Sequence, residues 1–446
     1  MATAARTSAP SIRKVALASS IGTLVEYFDF FIFGTASALV FNKLFFPSLD
    51  PLAGTLASFA TFGVAFFVRP LGGVVFGHFG DRVGRKTMLV VSLLTMGVGT
   101  AIVGLLPTYE RIGIWAPILL VLTRMLQGAA VGGEWSGAVL MAAEHAPRRK
   151  RAFYSSWPQA GVPAGLVLAT ASFYLVEQLP PDAMMSWGWR VPFLASAVLV
   201  LIGLYIRARI EESPAFRSVR DSGQVSRFPA AEVLRSGKRS VLIAILSMAA
   251  NSVFFYTATV FALRYASQEG GAQRGTVLLA VMVAALLLIV TMPITALLAD
   301  RYGRRPVLLA GAVFGTAAAF PFFLLLHTGS TIAILAAMVM ALPIAHSLLY
   351  TPLSAFMPEL FETRMRYSGS AIGYQIGAML FSGPTPFVAT ALFAWAGAAW
   401  PLALYLMFGA VLTLAGVYAA RETYHDDLRD TPEPVRTSES PATTSA

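Results

Sequence analysis

Apolar runs of about twenty residues, enough for a helix to cross the ~30 Å hydrocarbon core of a bilayer, recur along almost the whole chain. In hydrocarbon every backbone N–H and C=O must be satisfied within its own segment, so many such runs fold as a bundle of transmembrane helices. The expected fold class is therefore an all-α polytopic membrane protein. Of the 446 residues 56% are apolar and only 13% charged, where a soluble domain carries about 25% charge. The net charge of +10 could point to nucleic acid. Its basic residues, however, cluster in short turns between apolar runs, so the expected partner is the lipid bilayer and not nucleic acid. The chain has no cysteine, which excludes disulfides and thiolate metal sites. Its five histidines are scattered, and neither His-Glu-x-x-His nor Gly-x-Ser-x-Gly occurs. No metal site and no enzyme activity are expected.

Twelve spans are expected near 16–41, 52–79, 87–106, 114–144, 152–178, 189–208, 239–265, 275–299, 306–327, 331–355, 366–393 and 397–420. The first could be mistaken for a cleaved signal peptide, with Arg13 and Lys14 before it and Ala36-Ser-Ala38 within it. A signal core is shorter and would not contain Glu26 and Asp29. Lys and Arg collect in alternate loops, around Arg82–Lys86, Arg148–Arg151, Arg207–Arg239, Arg301–Arg305 and Arg364–Arg366. The positive-inside rule places those loops and both termini in the cytoplasm. The expected organisation is a cytoplasmic segment 1–15, a six-helix bundle 16–208, a cytoplasmic linker 209–238, a second bundle 239–420 and a disordered cytoplasmic tail 421–446, rich in Pro, Ser, Thr and charge.

The two bundles echo each other. Gly77-His-Phe-Gly-Asp-Arg-Val-Gly-Arg-Lys86 follows the second span, and Ala296-Leu-Leu-Ala-Asp-Arg-Tyr-Gly-Arg-Arg305 follows the eighth. Glu144 precedes Arg151 at the spacing by which Glu359 precedes Arg366. A basic loop alone would explain the arginines but not the repeated Asp and Gly, so a duplicated six-helix unit is indicated.

With these loops the sequence resembles the major facilitator superfamily. More narrowly, Glu26-Tyr-Phe-Asp-Phe30, Arg69-Pro-Leu-Gly-Gly73, Arg124-Met-Leu-Gln-Gly128, Gly132-Gly-Glu-Trp135 and Ser186-Trp-Gly-Trp-Arg190 resemble its metabolite:proton symporter family, although Ser136 stands where that family usually has another glycine. The resemblance implies two six-helix halves in a bacterial cytoplasmic membrane. It also implies alternating access, a functional monomer, and uptake of shikimate, other carboxylates, proline or betaine together with protons. Proton-motive force then drives transport, with no bound cofactor. If the halves pack as in that superfamily, Asp81 caps the eleventh span and Asp300 the fifth. Arg82, Arg85, Glu144, Arg151, Arg301, Arg304, Glu359 and Arg366 complete the cytoplasmic gate. The superfamily's antiporter mark, Gly-Pro-x-x-Gly-Gly, is not kept in Ala160-Gly-Val-Pro-Ala-Gly165, which favours symport over antiport. Gly73 and Gly77, and Gly369, Gly373 and Gly377, have the spacing of close helix contacts.

The mid-span charges are Glu26, Asp29, Arg69, Arg124 and Glu134, all in the first half. Buried charges pair or neutralise, so three acids and two bases leave one acid over, which desolvation suits to carrying a proton. Asp29 and Arg124 lie at similar depth, and a first-span carboxylate paired with a fourth-span arginine recurs in proton-coupled sugar porters of that superfamily. Asp29–Arg124 is therefore the expected coupling pair, with Glu26 and Glu134 as alternative proton sites. Arg69 suits a bidentate grip on a substrate carboxylate, or a pair with Glu26. Tyr27, Gln127, Asn251, Tyr256, His346, Tyr350, Tyr374 and Gln375 are further candidates for the substrate site by depth and chemistry.

Overall fold

The computed structural model describes residues 12–83, 85–132, 146–208, 237–362 and 365–424, with Val139, Ala142, Val233 and Arg235; for 12–19, 74–83, 85–87, 89, 148 and 206–208 only the backbone is described. The first six long helices are α1 (Ile12–Leu39), α2 (Pro51–Val83), α3 (Arg85–Leu105), α4 (Trp115–Val131), α5 (Arg151–Val176) and α6 (Val191–Ala208). The second six are α7 (Lys238–Gln268), α8 (Arg274–Tyr302), α9 (Arg304–His327), α10 (Thr331–Glu359), α11 (Arg366–Ala396) and α12 (Trp400–Ala419). Nine helices among the described residues are long and apolar enough to cross a membrane. Val90–Leu105 and Trp115–Val131 are apolar but shorter, and α1 carries Glu26 and Asp29.

Alternate connections lie at opposite ends of the bundle, so one end, here the basic face, holds the Arg-rich loops. At the opposite face Trp115, Trp187, Trp395 and Trp400 are exposed in or beside the loops, the position of an interfacial aromatic belt. Leu105, Leu201, Leu324 and Ile332 are exposed along the flanks, as suits surfaces solvated by lipid.

Within the first half α1 packs along α5, α2 along α4 and α3 along α6. Within the second, α7 packs on α11 and α12, α8 on α10, and α9 on α12. The halves meet where α5 lies along α8, α2 along α11, and α1 against α7. The α2–α4 pair approaches backbone to backbone: Cβ atoms at Gly72, Gly128 and Gly132 would collide with main-chain atoms of Ala129, Ala65 and Arg69 respectively. Of the glycines flagged by spacing, Gly73 faces Gly132, while Gly373 and Gly377 face Ala244 and Met248 of α7, all contacts inside one half. The side chain of Gly77 lies outside the described residues. The close glycine contact between halves is instead Gly63 of α2 against Gly383 of α11, where an added Cβ would come within 2.8 Å of the Gly383 carbonyl.

Helices α7, α10 and α11 each contain a π-helical segment, at Thr257–Phe261, Met340–His346 and Ala378–Ser382. Such bulges gather at functional sites, and Pro343 supplies a local cause in α10 by removing a backbone donor. At the basic face Gly303, with φ of 102°, turns the chain from α8 into α9, a conformation open to glycine.

The tail expected to be disordered from 421 onward begins with a docked segment. Glu422 accepts hydrogen bonds from the backbone N–H groups of Arg304 and Arg305 at the start of α9, at 3.1 and 2.9 Å. An anion at a helix N-terminus satisfies orphan donors and the helix dipole, which holds this segment in place. Residues 425–446 and most of the linker lie outside the described residues, and α7 already begins at Lys238.

The α2–α4 contact yields a stability prediction. Gly128→Val has no flexible side chain to displace, so it is expected to cost about 3 kcal/mol. Gly275→Ala, whose Cβ would meet only ordinary contacts with Tyr174, is expected to stay within about 0.5 kcal/mol. Thermal unfolding of the two purified variants in detergent checks the contrast.

Candidate functional site

The polar groups gather at mid-depth, where α1, α2 and α4 of the first half face α7, α10 and α11 of the second. Glu26, Asp29, Arg69, Arg124 and Gln127 are all buried, as are Asn251, Tyr256, His346, Tyr350, Tyr374 and Gln375. Glu134 lies outside the described residues.

The two guanidinium groups define the site's character. Arg69 lies over the rings of Phe30 and Phe66, 5.1 and 4.6 Å from their centroids. Arg124 lies over Phe30 and Phe33 at 4.5 and 4.3 Å. Among the described residues neither forms a salt bridge within 4.0 Å, and Arg69 Nε, Arg124 Nε and one Arg124 NH2 group lack hydrogen-bond partners. Among the described residues the expected Asp29–Arg124 ion pair, and the Glu26 pair weighed for Arg69, give way to ring faces, which attract cations through their quadrupoles without neutralising them.

The Asp29–Arg124 pair is accordingly indirect. Arg124 donates to Gln127 Oε1 at 3.3 Å, Gln127 Nε2 donates to Thr100 Oγ1 at 2.7 Å, and Thr100 Oγ1 donates to Asp29 Oδ2 at 2.8 Å. The direct contact fails because Arg124 points into the Phe30–Phe33 ring pair while Asp29 turns toward α3. Gln127, expected to touch substrate, is committed to this chain. Glu26 lies on α1 beside the cluster and has interactions of its own.

The second half contributes neutral polar groups. His346 is sandwiched between Phe255 and Tyr350, with ring centroids 4.3 and 4.9 Å away, and neither of its nitrogens has a partner at full hydrogen-bond geometry among the described residues. Asn251 Oδ1 likewise has no partner among the described residues. Hydrogen bonds also cross between halves here: the Tyr27 and Tyr374 hydroxyls are 3.1 Å apart, and Gln375 Nε2 donates to the Gly132 carbonyl at 2.8 Å. Sequence reasoning missed Gln159 of α5, buried with both amide atoms unpartnered among the described residues; the mid-span amide criterion that picked Gln375 would have found it. Thr100 was also missed, because hydroxyls are too common in spans to stand out.

The site is closed toward both faces. Toward the opposite face Tyr256 meets the rings of Phe30, Phe62 and Phe66, with centroids 5.6–6.0 Å apart. Beyond them Arg274 pairs with Glu177 at 3.6 Å. Burial holds the Glu177 carboxyl above its ordinary range despite the Arg274 charge.

Toward the basic face the closure is buried and multiple. Asp300 accepts from the Ala152 and Phe153 backbone N–H groups, both at 2.9 Å, at the first turn of α5. Arg151 pairs with Glu359 at 2.8 Å, and Arg304 joins both acids, at 3.2 Å to each. Thr423 of the docked tail donates to the other oxygen of Glu359 at 2.7 Å. One residue expected in this gate stands apart from the described part of it. Arg301 is exposed and lies over the Tyr302 ring, because it precedes the turn that directs Arg304 inward. Arg366 donates to the Pro358 carbonyl at 3.2 Å and so caps the end of α10. The side chains of Asp81, Arg82 and Arg85, and all of Glu144, lie outside the described residues.

A membrane-spanning bundle in two six-helix halves, with a buried charged site between them closed toward either face, has the architecture of a solute transporter. The Major Facilitator Superfamily profile matches residues 20–383. The chain is 43% identical over 427 residues to the Inner membrane metabolite transport protein YhjE of Escherichia coli (strain K12), covering 94% of this chain and 96% of the relative. It is 43% identical over 405 residues to the Shikimate transporter of the same organism, covering 90% and 92%. Identity to its Proline/betaine transporter is 35% over 431 residues, covering 94% and 85%. The fold matches the partially occluded inward-open conformation of the xylose transporter XylE from E. coli with a TM-score of 0.74 at 19% identity, over 94% of this chain and 99% of that one. The chain belongs to the Major Facilitator Superfamily, among its metabolite transporters, and it is not an enzyme.

The basic-face network predicts a conformational response. Breaking a buried ion pair by removing one partner costs about 3–5 kcal/mol. Glu359→Gln should therefore open this face and raise the maleimide reactivity of Ser354→Cys by at least about tenfold. The chain has no cysteine of its own to interfere. Unchanged labelling would show that the Glu359 network does not hold the face shut.

Proposed function

We propose that this transporter imports a small organic anion, a carboxylate, in symport with a proton, and that Asp29 carries the proton while Arg69 and Arg124 hold the anion. The observation that carries the reading is the pair of buried guanidiniums with unpartnered N–H groups and, among the described residues, no carboxylate within ion-pair distance. A planar fork of donors facing a closed site suits a carboxylate bidentately. One proton added at Asp29 raises the charge of the cluster by one unit, and one monoanion lowers it again. Proton and anion each lessen the electrostatic cost of burying the other, which makes joint occupancy favourable.

The basic face is the cytoplasmic one in this reading, with both termini inside a bacterial inner membrane. The protein works as a monomer, because the site is built wholly within one chain. The proton gradient is the energy source and no cofactor is required. The similarity to a shikimate transporter supports a carboxylate. The similarity to a proline/betaine transporter supports a zwitterion instead, and the aromatic cluster could hold a quaternary ammonium. The rings of Phe30, Phe33 and Phe66 already carry the two guanidiniums, which favours the anion.

The test is uptake into proteoliposomes under an imposed inward proton gradient, with and without a clamped potential. The panel holds shikimate, mono-, di- and tricarboxylates, proline and betaine. Proton-driven carboxylate uptake is expected, lost in Asp29→Asn while exchange across the membrane survives. Arg69→Lys is expected to raise KM about 10–100-fold, the worth of a charged hydrogen bond of ~1.5–3 kcal/mol. Uptake of betaine alone would overturn the anion reading, and full proton-driven uptake by Asp29→Asn would move the proton site elsewhere.

A further inference from the structure

Asp29 and Arg124 sit on different helices and do not touch, so a change of charge on one needs a physical route to the other. We propose that Thr100 and Gln127 are positioning residues that form a hydrogen-bond relay from Asp29 to Arg124, with the Thr100 hydroxyl as the switching element. The proposal rests on the reading of Asp29 as the proton carrier.

The four residues lie on three helices, α1, α3 and α4, and each is at most 2% exposed. Water therefore does not compete for their hydrogen bonds, and in such surroundings a chain of hydrogen bonds polarises along its length. Thr100 has one proton and two acceptors within reach, Asp29 Oδ2 at 2.8 Å and the Met96 carbonyl at 3.0 Å. Its oxygen at the same time accepts from Gln127 at 2.7 Å. Asp29 Oδ1 has no partner at full hydrogen-bond geometry among the described residues. Besides Thr100, the side chains acting on Asp29 are Arg124 of α4, Glu26 of α1 and the Ser196 hydroxyl of α6. No charged group from α3, α5 or α6 acts on it among the described residues.

With Asp29 ionised, the Thr100 proton belongs on the carboxylate, since a charge-assisted hydrogen bond outweighs one to a neutral carbonyl. The Thr100 lone pairs are then open to Gln127, whose amide is oriented with Nε2 toward Thr100 and Oε1 toward Arg124. When a proton arrives on Oδ2 from the aqueous side, Asp29 becomes the donor and Thr100 the acceptor. The Thr100 proton turns to Met96, and the oxygen that Gln127 used alone is now shared. The Gln127–Arg124 bond is already the longest of the chain, at 3.3 Å, and is the one to yield. The guanidinium is released toward the substrate. No covalent bond other than the O–H on Asp29 forms or breaks.

The intact protein in proteoliposomes tests this with two independent readouts. Infrared difference spectra across neutral pH follow the protonated carboxyl band of Asp29, identified by its loss in Asp29→Asn, and the guanidinium band of Arg124, identified by its loss in Arg124→Lys. In the wild type the two bands change with one midpoint. In Thr100→Val, which keeps shape but lacks the hydroxyl, the Asp29 band still titrates and the Arg124 band no longer follows it. Thr100→Ser restores the response. Proton-driven uptake of radiolabelled shikimate, with betaine run in parallel, should fall about tenfold in Thr100→Val while exchange is kept, the effect of one buried hydrogen bond. An Arg124 band that still follows Asp29 in Thr100→Val would overturn the relay in favour of direct coupling through space. Absence of any titrating Asp29 band in the wild type would overturn it through the proton-site assignment instead, so the two failures are distinguishable.

Discussion

A cation cannot be left bare inside a bilayer, and the organisation of this protein follows from how two guanidiniums are kept there. Charged groups at membrane depth cost about 2.5–3.5 kcal/mol each on insertion scales. Direct pairing with Asp29 and Glu26 would lower that cost but occupy the donors and the acids with one another. Arg69 and Arg124 are held over phenylalanine faces instead. Cation–π contact at desolvated sites is worth about 2 kcal/mol, and it leaves in-plane N–H groups free. The aromatic-rich stretch Tyr27–Phe33 thus holds guanidinium charge as well as packing the core. The close glycine approach of α2 and α4 brings the two arginine-bearing helices side by side.

The two closures are unequal. At the basic face two acids, two arginines, two backbone donors and the tail hydroxyl of Thr423 form one buried cluster that joins α5 of the first half to α8, α9 and α10 of the second. At the opposite face the polar contact is a 3.6 Å pair with Arg274 39% exposed. Such surface pairs are worth at most about 1 kcal/mol. Both closures grip the same helix pair, α5 and α8, one at each end. A rocking motion that opens one end is favoured to compress the other. In the orientation proposed above, the weaker grip lies on the face that first admits substrate.

Much of the fold was legible because membrane spans obey a length rule and because the Asp-Arg-x-Gly-Arg repeat marks equivalent loops. The position of Asp300 against α5 followed from the family resemblance, which implies how the halves pack, and a helix N-terminus does attract a carboxylate. What the sequence could not supply was side-chain direction. Depth along a helix placed Asp29 level with Arg124 but did not say that one faces α3 and the other the Phe30–Phe33 rings. Counting acids against bases assumed that like depth means contact. In the same way Arg301 and Arg304 are both basic and three residues apart, yet Gly303 sends one outward and the other into the buried cluster. The docking of Glu422 was hidden because the tail's composition is that of a disordered segment, and two residues sufficed to anchor its first turn.

The central claim is that proton and anion occupy this site together because each offsets the charge of the other. The most direct measurement is the internal pH of proteoliposomes holding the wild-type protein, monitored by a trapped dye after a carboxylate gradient alone is imposed at zero potential. The account predicts acidification of the lumen in step with carboxylate entry, with no net current for a monoanion. Carboxylate entry that leaves the internal pH unchanged would contradict it.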